Sequence, residues 1–449
     1  MAQGDENLVI KYGGRIMMVF QLFKYFISLI YWNMQPVEKV KKMQLRKFKE
    51  VFEYAREHNP FYRDLYTKAG VMDLDIKTWE DVEKVPIVDK DEYRRIPLEQ
   101  RLSEPYNPKK HYKHSTSGSS GNPLMIVYSK FVEYTGHVRV FYMLVKAAHY
   151  NPFQKIFMIA RYEEDDKFAI EKDLSFIGKL QKWLHFFQRE IVSIYRDPDY
   201  IIDRILEEKP KIIWATPSVM EIVANRLIVR DIKLNIPHLV FTSENVSEVQ
   251  FRKFKEYVSP VVIDLFGANE SPSISFDVNK SGKSWVYTNA CLPEFINRTD
   301  RNGKLTGTLV ITSLLNKVNP FIRYNLKDYG EILSTPDFPN KCIGPIIGRM
   351  DDILSFPDGR QFFHHQAHEM FMDFDKCLHF KFVQVDDGPI TLQLICNPKY
   401  TEAEVYKEAM ERWNHRFPQY ELKVEFVDKF EINKRTGKYK NIEHIKTKK

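Results

Sequence analysis

Between Val37 and His58 the apolar residues Phe48, Val51, Phe52 and Ala55 fall at i, i+3, i+4 and i+7. That spacing makes one stripe of a helix, which Asn59-Pro60 ends. Further along, short continuous apolar runs replace the helical period. Met125–Tyr128, Lys155–Ala160, Lys211–Ala215, His238–Thr242 and Val261–Leu265 predict buried strands. Helical patterns lie between them, as at Asp199–Glu208 and Val246–Tyr257, and another covers Phe131–His149. Strands alternating with helices predict an α/β fold with mixed, largely parallel sheets flanked by helices. Ligands in such folds gather at the carboxyl ends of strands. After about Ser281 short strands and turns take over, as at Arg301-Asn302-Gly303 and Gly307–Thr312. Gly348-Arg349-Met350-Asp351-Asp352 reads as a turn dividing the molecule. Beyond it Thr391–Ile395, Glu402–Asn414 and Leu422–Phe426 predict a small α+β domain. The expected organisation is an apolar helical segment at 1–36, a large domain at 37–348 and a small C-terminal domain at 349–449.

The segment Ile16–Trp32 is strongly apolar but interrupted by Gln21 and Lys24. It falls short of the roughly 20 apolar residues that span a bilayer. No small-residue cleavage site follows, so a secretory signal is not expected. Two readings stand: a helix packed on the protein's own body, or an interfacial helix on a membrane, helped by Lys11, Arg15 and Lys24.

The formal net charge of +7 suits an anionic substrate such as a nucleotide and does not by itself indicate nucleic acid. Cys291, Cys342, Cys377 and Cys396 form no CxxC pair and no zinc spacing. A reducing compartment, the cytoplasm, is the expected setting.

Five segments carry candidate chemistry, each weak alone. His114–Pro123 (HSTSGSSGNP) is rich in small hydroxyl residues and glycine. Its N–H and O–H groups suit phosphate oxygens, although the Gly-Lys-Ser/Thr ending of a Walker loop is missing. Leu265–Glu270 (LFGANE) places an acid just past a strand, where it can hold Mg²⁺ near phosphates. Asn319–Asp328 (NPFIRYNLKD) ends in a carboxylate able to accept from both ribose hydroxyls; a surface ion pair with Arg323 or Lys327 is the plainer alternative. Arg349 in Gly348–Asp352 suits nucleotide hydroxyls or phosphate, and the following Asp can act as a hinge. In Ile432–Lys440 (INKRTGKYK) a lysine behind a glycine turn can stabilise a charged transition state.

The order and separation of these segments resemble the adenylate-forming superfamily of acyl-CoA synthetases, luciferases and adenylation domains. The phenylacetate–CoA ligase branch, which includes capsular-polysaccharide-biosynthesis-type members, is the nearest in pattern. PFIRYNLKDYGEI, IGRMDDIL, EYAREHNPFYRDLY and EKVPIVDKDEYR agree with it. The resemblance runs from about Phe48 to about Lys440. It implies that Ser115, Thr116, Ser117, Gly118, Ser119, Ser120 and Gly121 grip the phosphates of ATP. Phe266 and Gly267 would face adenine, with Ser243 in the same pocket, although Ser243-Glu244-Asn245 lacks the relatives' usual glycine. Asp328 would bind ribose and Glu270 Mg²⁺. Arg349 would lie near the nucleotide hydroxyls, and Asp351 would be the hinge of a mobile small domain. Lys438 would assist adenylation, with Lys440 a nearby rival.

The implied reaction is attack of a carboxylate, aryl or acyl, on the α-phosphorus of ATP, with pyrophosphate leaving. The acyl group then passes to a thiol, expected to be coenzyme A. Another acceptor (an amine, a polysaccharide hydroxyl or a carrier protein) is the alternative, and an inactive binding scaffold a third. Peripheral contact with the inner face of a membrane through 16–32, read from that segment itself, and a homodimer are further expectations.

Overall fold

The computed structural model describes residues 2–115, 124–161, 189–301, 304–349, 353–363, 366–367, 370–371, 374, 376–430 and 441–445, with 2–16 as backbone only. The chain divides into two compact units.

The first unit comprises Met1–His149, Leu265–Asp277 and Ser281–Pro345. Its opening helix, Ala2–Met34, buries Tyr25, Leu29 and Trp32, which follow one another at i, i+4 and i+7. This face packs on the helix Lys130–Ala148, with Tyr25 edge-on to Phe131 and Phe26 5.7 Å from Phe141 between ring centroids. Packing on the protein's own body is therefore correct for that face. The helix Val37–His58 buries its expected stripe and also Gln44, whose amide donates to Thr288 O at 3.2 Å and accepts from Asn340 Nδ2 at 2.8 Å. Asn59 ends this helix and caps the next, Pro60–Lys68, by accepting from Tyr62 N at 3.2 Å; proline at its first position needs no donor there.

The strands Cys291–Arg301, Lys304–Ser313 and Tyr324–Glu331 form an antiparallel ladder. The first two are 11 and 10 residues long, longer than the expected short strands. Thr306, Thr308 and Thr312 look polar in sequence but are buried, and β-branched threonine suits a pleated surface.

The second unit comprises Tyr150–Asp264, Val278–Lys280 and Ile346–Lys449. Here the strand Ile156–Ala160 lies parallel to both Arg189–Ser193 and Ile212–Ala215, and the latter lies parallel to His238–Thr242. Helices Pro198–Glu208, Pro217–Arg230 and Glu248–Tyr257 alternate with them. Their apolar faces join Phe157, Ile213, Leu239 and Phe241 in one core. This is the expected α/β pattern. The C-terminal portion has a four-stranded sheet, Leu422–Phe426, Ile390–Cys396, Cys377–Val385 and Ile442–Ile445, packed with the helix Glu402–Arg416 around Trp413. Gly348 and Arg349, the first two residues of the turn expected at 348–352, instead end the strand Ile346–Arg349, and 350–352 lie outside the described residues. Two β-branched isoleucines precede Gly348, and its φ of 159° is extended backbone. No helix among the described residues is long and apolar enough to cross a membrane.

Candidate active site

The segment 116–123 lies outside the described residues, but both its flanks are held. His111–Ser115 pairs antiparallel with Met125–Ser129, and Ser115 faces Met125 at the open end of the ladder. His114 Nε2 meets Glu133 Oε2 at 2.9 Å on the first turn of the neighbouring helix. The Glu133 carboxylate holds the His114 imidazole above its ordinary range, and His114 in turn lowers Glu133. Ser115 carries the first hydroxyl of the candidate phosphate loop. Its carbonyl accepts from Asn269 Nδ2 at 3.4 Å. Two segments far apart in sequence, HSTSGSSGNP and LFGANE, are thereby brought together.

Beside Asn269 the Glu270 side chain is 2% exposed. Its Oε1 lies 2.9 Å from Lys90 Nζ and accepts from the Tyr324 hydroxyl at 3.3 Å. Burial, and after it the Glu270 carboxylate, pushes Tyr324 far above the ordinary phenol range, so it remains a donor throughout the working pH range. Lys90 reaches this place through a chain of backbone constraints. Val88 N donates to Arg323 O at 2.9 Å and Asn325 N to Val88 O at 3.0 Å, a single parallel bridge. Asp89 then caps a short helix, accepting from Asp91 N and Glu92 N at 2.8 and 3.1 Å. Lys90 is the first residue of that helix. Arg323 fixes the same segment by donating to Glu83 O at 2.8 Å, and its Nε donates to Glu294 Oε1 at 3.1 Å.

Behind this cluster lies Asn319. Its Nδ2 donates to the Tyr93 hydroxyl at 2.8 Å and to Arg101 O at 3.1 Å, and its Oδ1 accepts from Val127 N at 3.2 Å. The NPFIRYN segment is thus tied to the strand that leaves the phosphate-loop candidate.

Asp328 directly follows an irregularity of the ladder, where Leu309 faces Asp328 while Val310 faces Asn325. Lys327 there takes a positive φ of 62°. Bulges of this kind re-aim side chains next to functional sites. Arg323 and Lys327, the alternative ion-pair partners of Asp328, form salt bridges with Glu294 and Asp91 respectively. Phe266 is half-buried on the strand Val262–Ala268. Gly267 is required by close approach, since a Cβ there would sit 2.7 Å from Ser273 N.

Ser243, Glu244 and Arg349 belong to the second unit. Ser243 takes a φ of 76°, a conformation that glycine adopts freely and other residues adopt at a cost. Glu244 Oε2 accepts from Ser218 N at 3.0 Å. This satisfies an orphan donor of the helix Pro217–Arg230, whose N-cap Thr216 makes no side-chain capping bond to the helix backbone. Asn245 Nδ2 donates to Ile346 O at 3.0 Å, at the start of the strand that carries Arg349.

Thr116, Ser117, Gly118, Ser119, Ser120, Gly121, Asp351 and Lys438 lie outside the described residues. Sequence reasoning gave no role to Lys90, nor to Asn319 and Tyr324 within the candidate segment 319–328, although they surround Glu270 or support the loop. It also missed Arg139, which is buried and donates to Pro272 O at 2.5 Å. Among the described residues no group of three or more His, Cys, Asp or Glu side chains suits a metal. A site with one protein carboxylate, Glu270, fits Mg²⁺ only where substrate phosphates supply further oxygens.

No protein-family model matches the chain. Curated relatives do. A phenylacetate–coenzyme A ligase of Pseudomonas putida is 23% identical over 344 residues, covering 71% of this chain and 72% of the relative. One from Thermus thermophilus is 24% identical over 349 residues with the same coverage. Among solved structures, a 2-hydroxyisobutyryl-CoA ligase in its postadenylation state with 2-HIB-AMP superposes with a TM-score of 0.69 at 19% identity, over 88% of this chain and 87% of that one. An anthranilate CoA ligase with anthranoyl-AMP superposes at 0.51 and 15% identity, over 73% of this chain and 65% of that one.

Proposed function

On the footing that the chain has the fold of the adenylate-forming ligases and sequence kinship with phenylacetate–CoA ligases, we propose that it is an AMP-forming acid–thiol ligase. It activates a carboxylic acid with ATP as an acyl-adenylate, releases pyrophosphate, and transfers the acyl group to coenzyme A. The observation that supports this reading is the bond from Asn269, the chain neighbour of Glu270, to the carbonyl of Ser115, the first residue of the loop assigned to the phosphates.

In this reading the loop 115–121 orients the triphosphate, and Lys438 stabilises charge developing on it. Phe266 and Gly267 face adenine together with Ser243. Asp328 accepts from the ribose hydroxyls, and Arg349 binds near them. Mg²⁺, when bound with ATP by Glu270, would neutralise phosphate charge. Lys90 and Tyr324 hold the Glu270 carboxylate in place. Catalysis then consists of positioning and electrostatic stabilisation, with no protein nucleophile. The domain 349–449 is the mobile lid and Asp351 its hinge. The segment 16–32 makes peripheral contact with a membrane.

Exchange of labelled pyrophosphate into ATP by the purified full chain tests the proposal across a panel of aryl and acyl acids. At least one acid should raise exchange well above the acid-free rate. Failure of every acid in a broad panel would overturn it.

A further inference from the structure

The helix Ala2–Met34 has two apolar faces, and the protein covers one. Tyr25, Leu29 and Trp32 are buried, while Met17, Phe20, Phe23, Ile27, Tyr31 and Met34 remain 47–75% exposed. Steps of three and four residues place these six on one stripe. From Asn7 through Val37 the sequence holds no acidic residue, only the cations Lys11, Arg15 and Lys24. The next helix adds Lys39 and Lys42, both exposed.

We propose that this stripe is the seat of the chain on a bilayer rich in anionic lipids, with the helix lying in the headgroup plane. It deepens the peripheral contact proposed above and does not rest on the acid-activating chemistry. An exposed apolar face flanked by cations is the pattern of an interfacial helix. Each basic residue near an anionic surface adds to the attraction. The helix lies on the membrane and does not span it, since no described helix is long and apolar enough to cross.

Lys24 decides between a lipid surface and a second copy of the chain. It sits within the stripe, its Nζ 4.5 Å from the centroid of the Phe20 ring. A two-fold pairing centred on the stripe sets each Lys24 beside its copy. The segment contains no carboxylate to compensate, and burying unpaired like charges is costly. On a bilayer the lysine stem lies along hydrocarbon while its ammonium reaches the phosphates.

The test is co-sedimentation of the full chain with vesicles, without substrates. Vesicles of phosphatidylcholine are compared with vesicles of phosphatidylcholine and phosphatidylglycerol. Binding should favour the anionic vesicles and weaken with salt. Phe23→Glu with Ile27→Glu should lower binding at least about tenfold, with far-UV circular dichroism and melting temperature unchanged. Lys24→Gln should lower it by about fivefold. Three results would overturn the proposal. The first is no binding to either vesicle, and the second is equal binding to both. The third is a lipid-free dimer in sedimentation velocity that the Phe23/Ile27 pair of substitutions dissolves.

Discussion

Lys90 Nζ lies 2.9 Å from Glu270 Oε1, with side chains 9% and 2% exposed. A pair this buried is costly to break from one side, because the remaining charge loses its counter-ion in a place shielded from water. Lys90→Met should therefore cost about 3–5 kcal/mol in urea denaturation. Lys90→Met with Glu270→Gln should recover part of that loss. A loss of under about 1 kcal/mol for Lys90→Met would mean that the pair is not buried in solution. Glu270→Gln alone should also raise the Mg²⁺ concentration needed for pyrophosphate exchange. An unchanged Mg²⁺ requirement would remove its assignment to the metal.

The His114–Glu133 pair gives a pH dependence of known sign. Its imidazole is held above the ordinary histidine value by the Glu133 carboxylate. The folded state thus binds the proton more tightly than the unfolded chain. The resulting stabilisation is complete below about pH 6.5 and disappears as pH rises through the raised folded value. In an NMR titration the resonance lost in His114→Gln should have its midpoint above that of a free histidine. Glu133→Gln should bring the midpoint down, and an unmoved midpoint would dismiss the pair.

Asn319 joins three buried partners from separate segments, Tyr93, Arg101 and Val127. Asn319→Ala should cost about 1–3 kcal/mol for each partner left unsatisfied. Asn319→Asp keeps the acceptor for Val127 N but loses the donor to Arg101 O, so it should not restore stability. Equal stability of wild type and Asn319→Ala would show that water replaces the amide.

Regular elements were legible where the period was clear. Phe48, Val51, Phe52 and Ala55 mark a helix and are all buried. The strands Ile156–Ala160 and Ile212–Ala215 lie where continuous apolar runs placed them. Glu270 was legible because it ends a recognisable segment. Lys90 was not, since Asp89-Lys90-Asp91-Glu92 reads as the polar start of an exposed helix. Its burial follows from the bridge between Val88 and Tyr324, a contact between residues remote in sequence. Arg139 is hidden likewise: its partners Tyr25 and Pro272 lie on segments that only the folded chain brings together. Local pattern encodes neither contact.

Lys438 and Asp351 can be tested by separating the two half-reactions. Lys438→Ala should abolish pyrophosphate exchange and spare the reaction of a supplied acyl-adenylate with coenzyme A. Lys440→Ala should spare both. Asp351→Pro should slow the second half more than the first. Equal loss of both halves in Lys438→Ala, or an untouched second half in Asp351→Pro, would cancel the respective role.

Within the second unit a buried polar cluster joins the helices Pro217–Arg230 and Glu248–Tyr257 to the strand Cys377–Val385. Glu221 Oε2 accepts from Gln250 Nε2 at 2.7 Å and lies 3.4 Å from His379 Nδ1. Lys253 Nζ donates to Asn225 Oδ1 at 2.7 Å, to Glu221 Oε1 at 3.2 Å and to Leu378 O at 3.3 Å. Burial holds His379 below its ordinary value, so its contribution is present above about pH 6.5 and is lost as pH falls through the folded value. Its sign is opposite to that of His114. If 349–449 turns as a lid, this cluster must open in each cycle, and its strength sets the balance between the two arrangements. Lys253→Met should then change the rate ratio of the two half-reactions by about fivefold or more, the effect of roughly 1 kcal/mol. A ratio equal to wild type, with stability lowered, would mean that the cluster only holds the unit together and takes no part in the cycle.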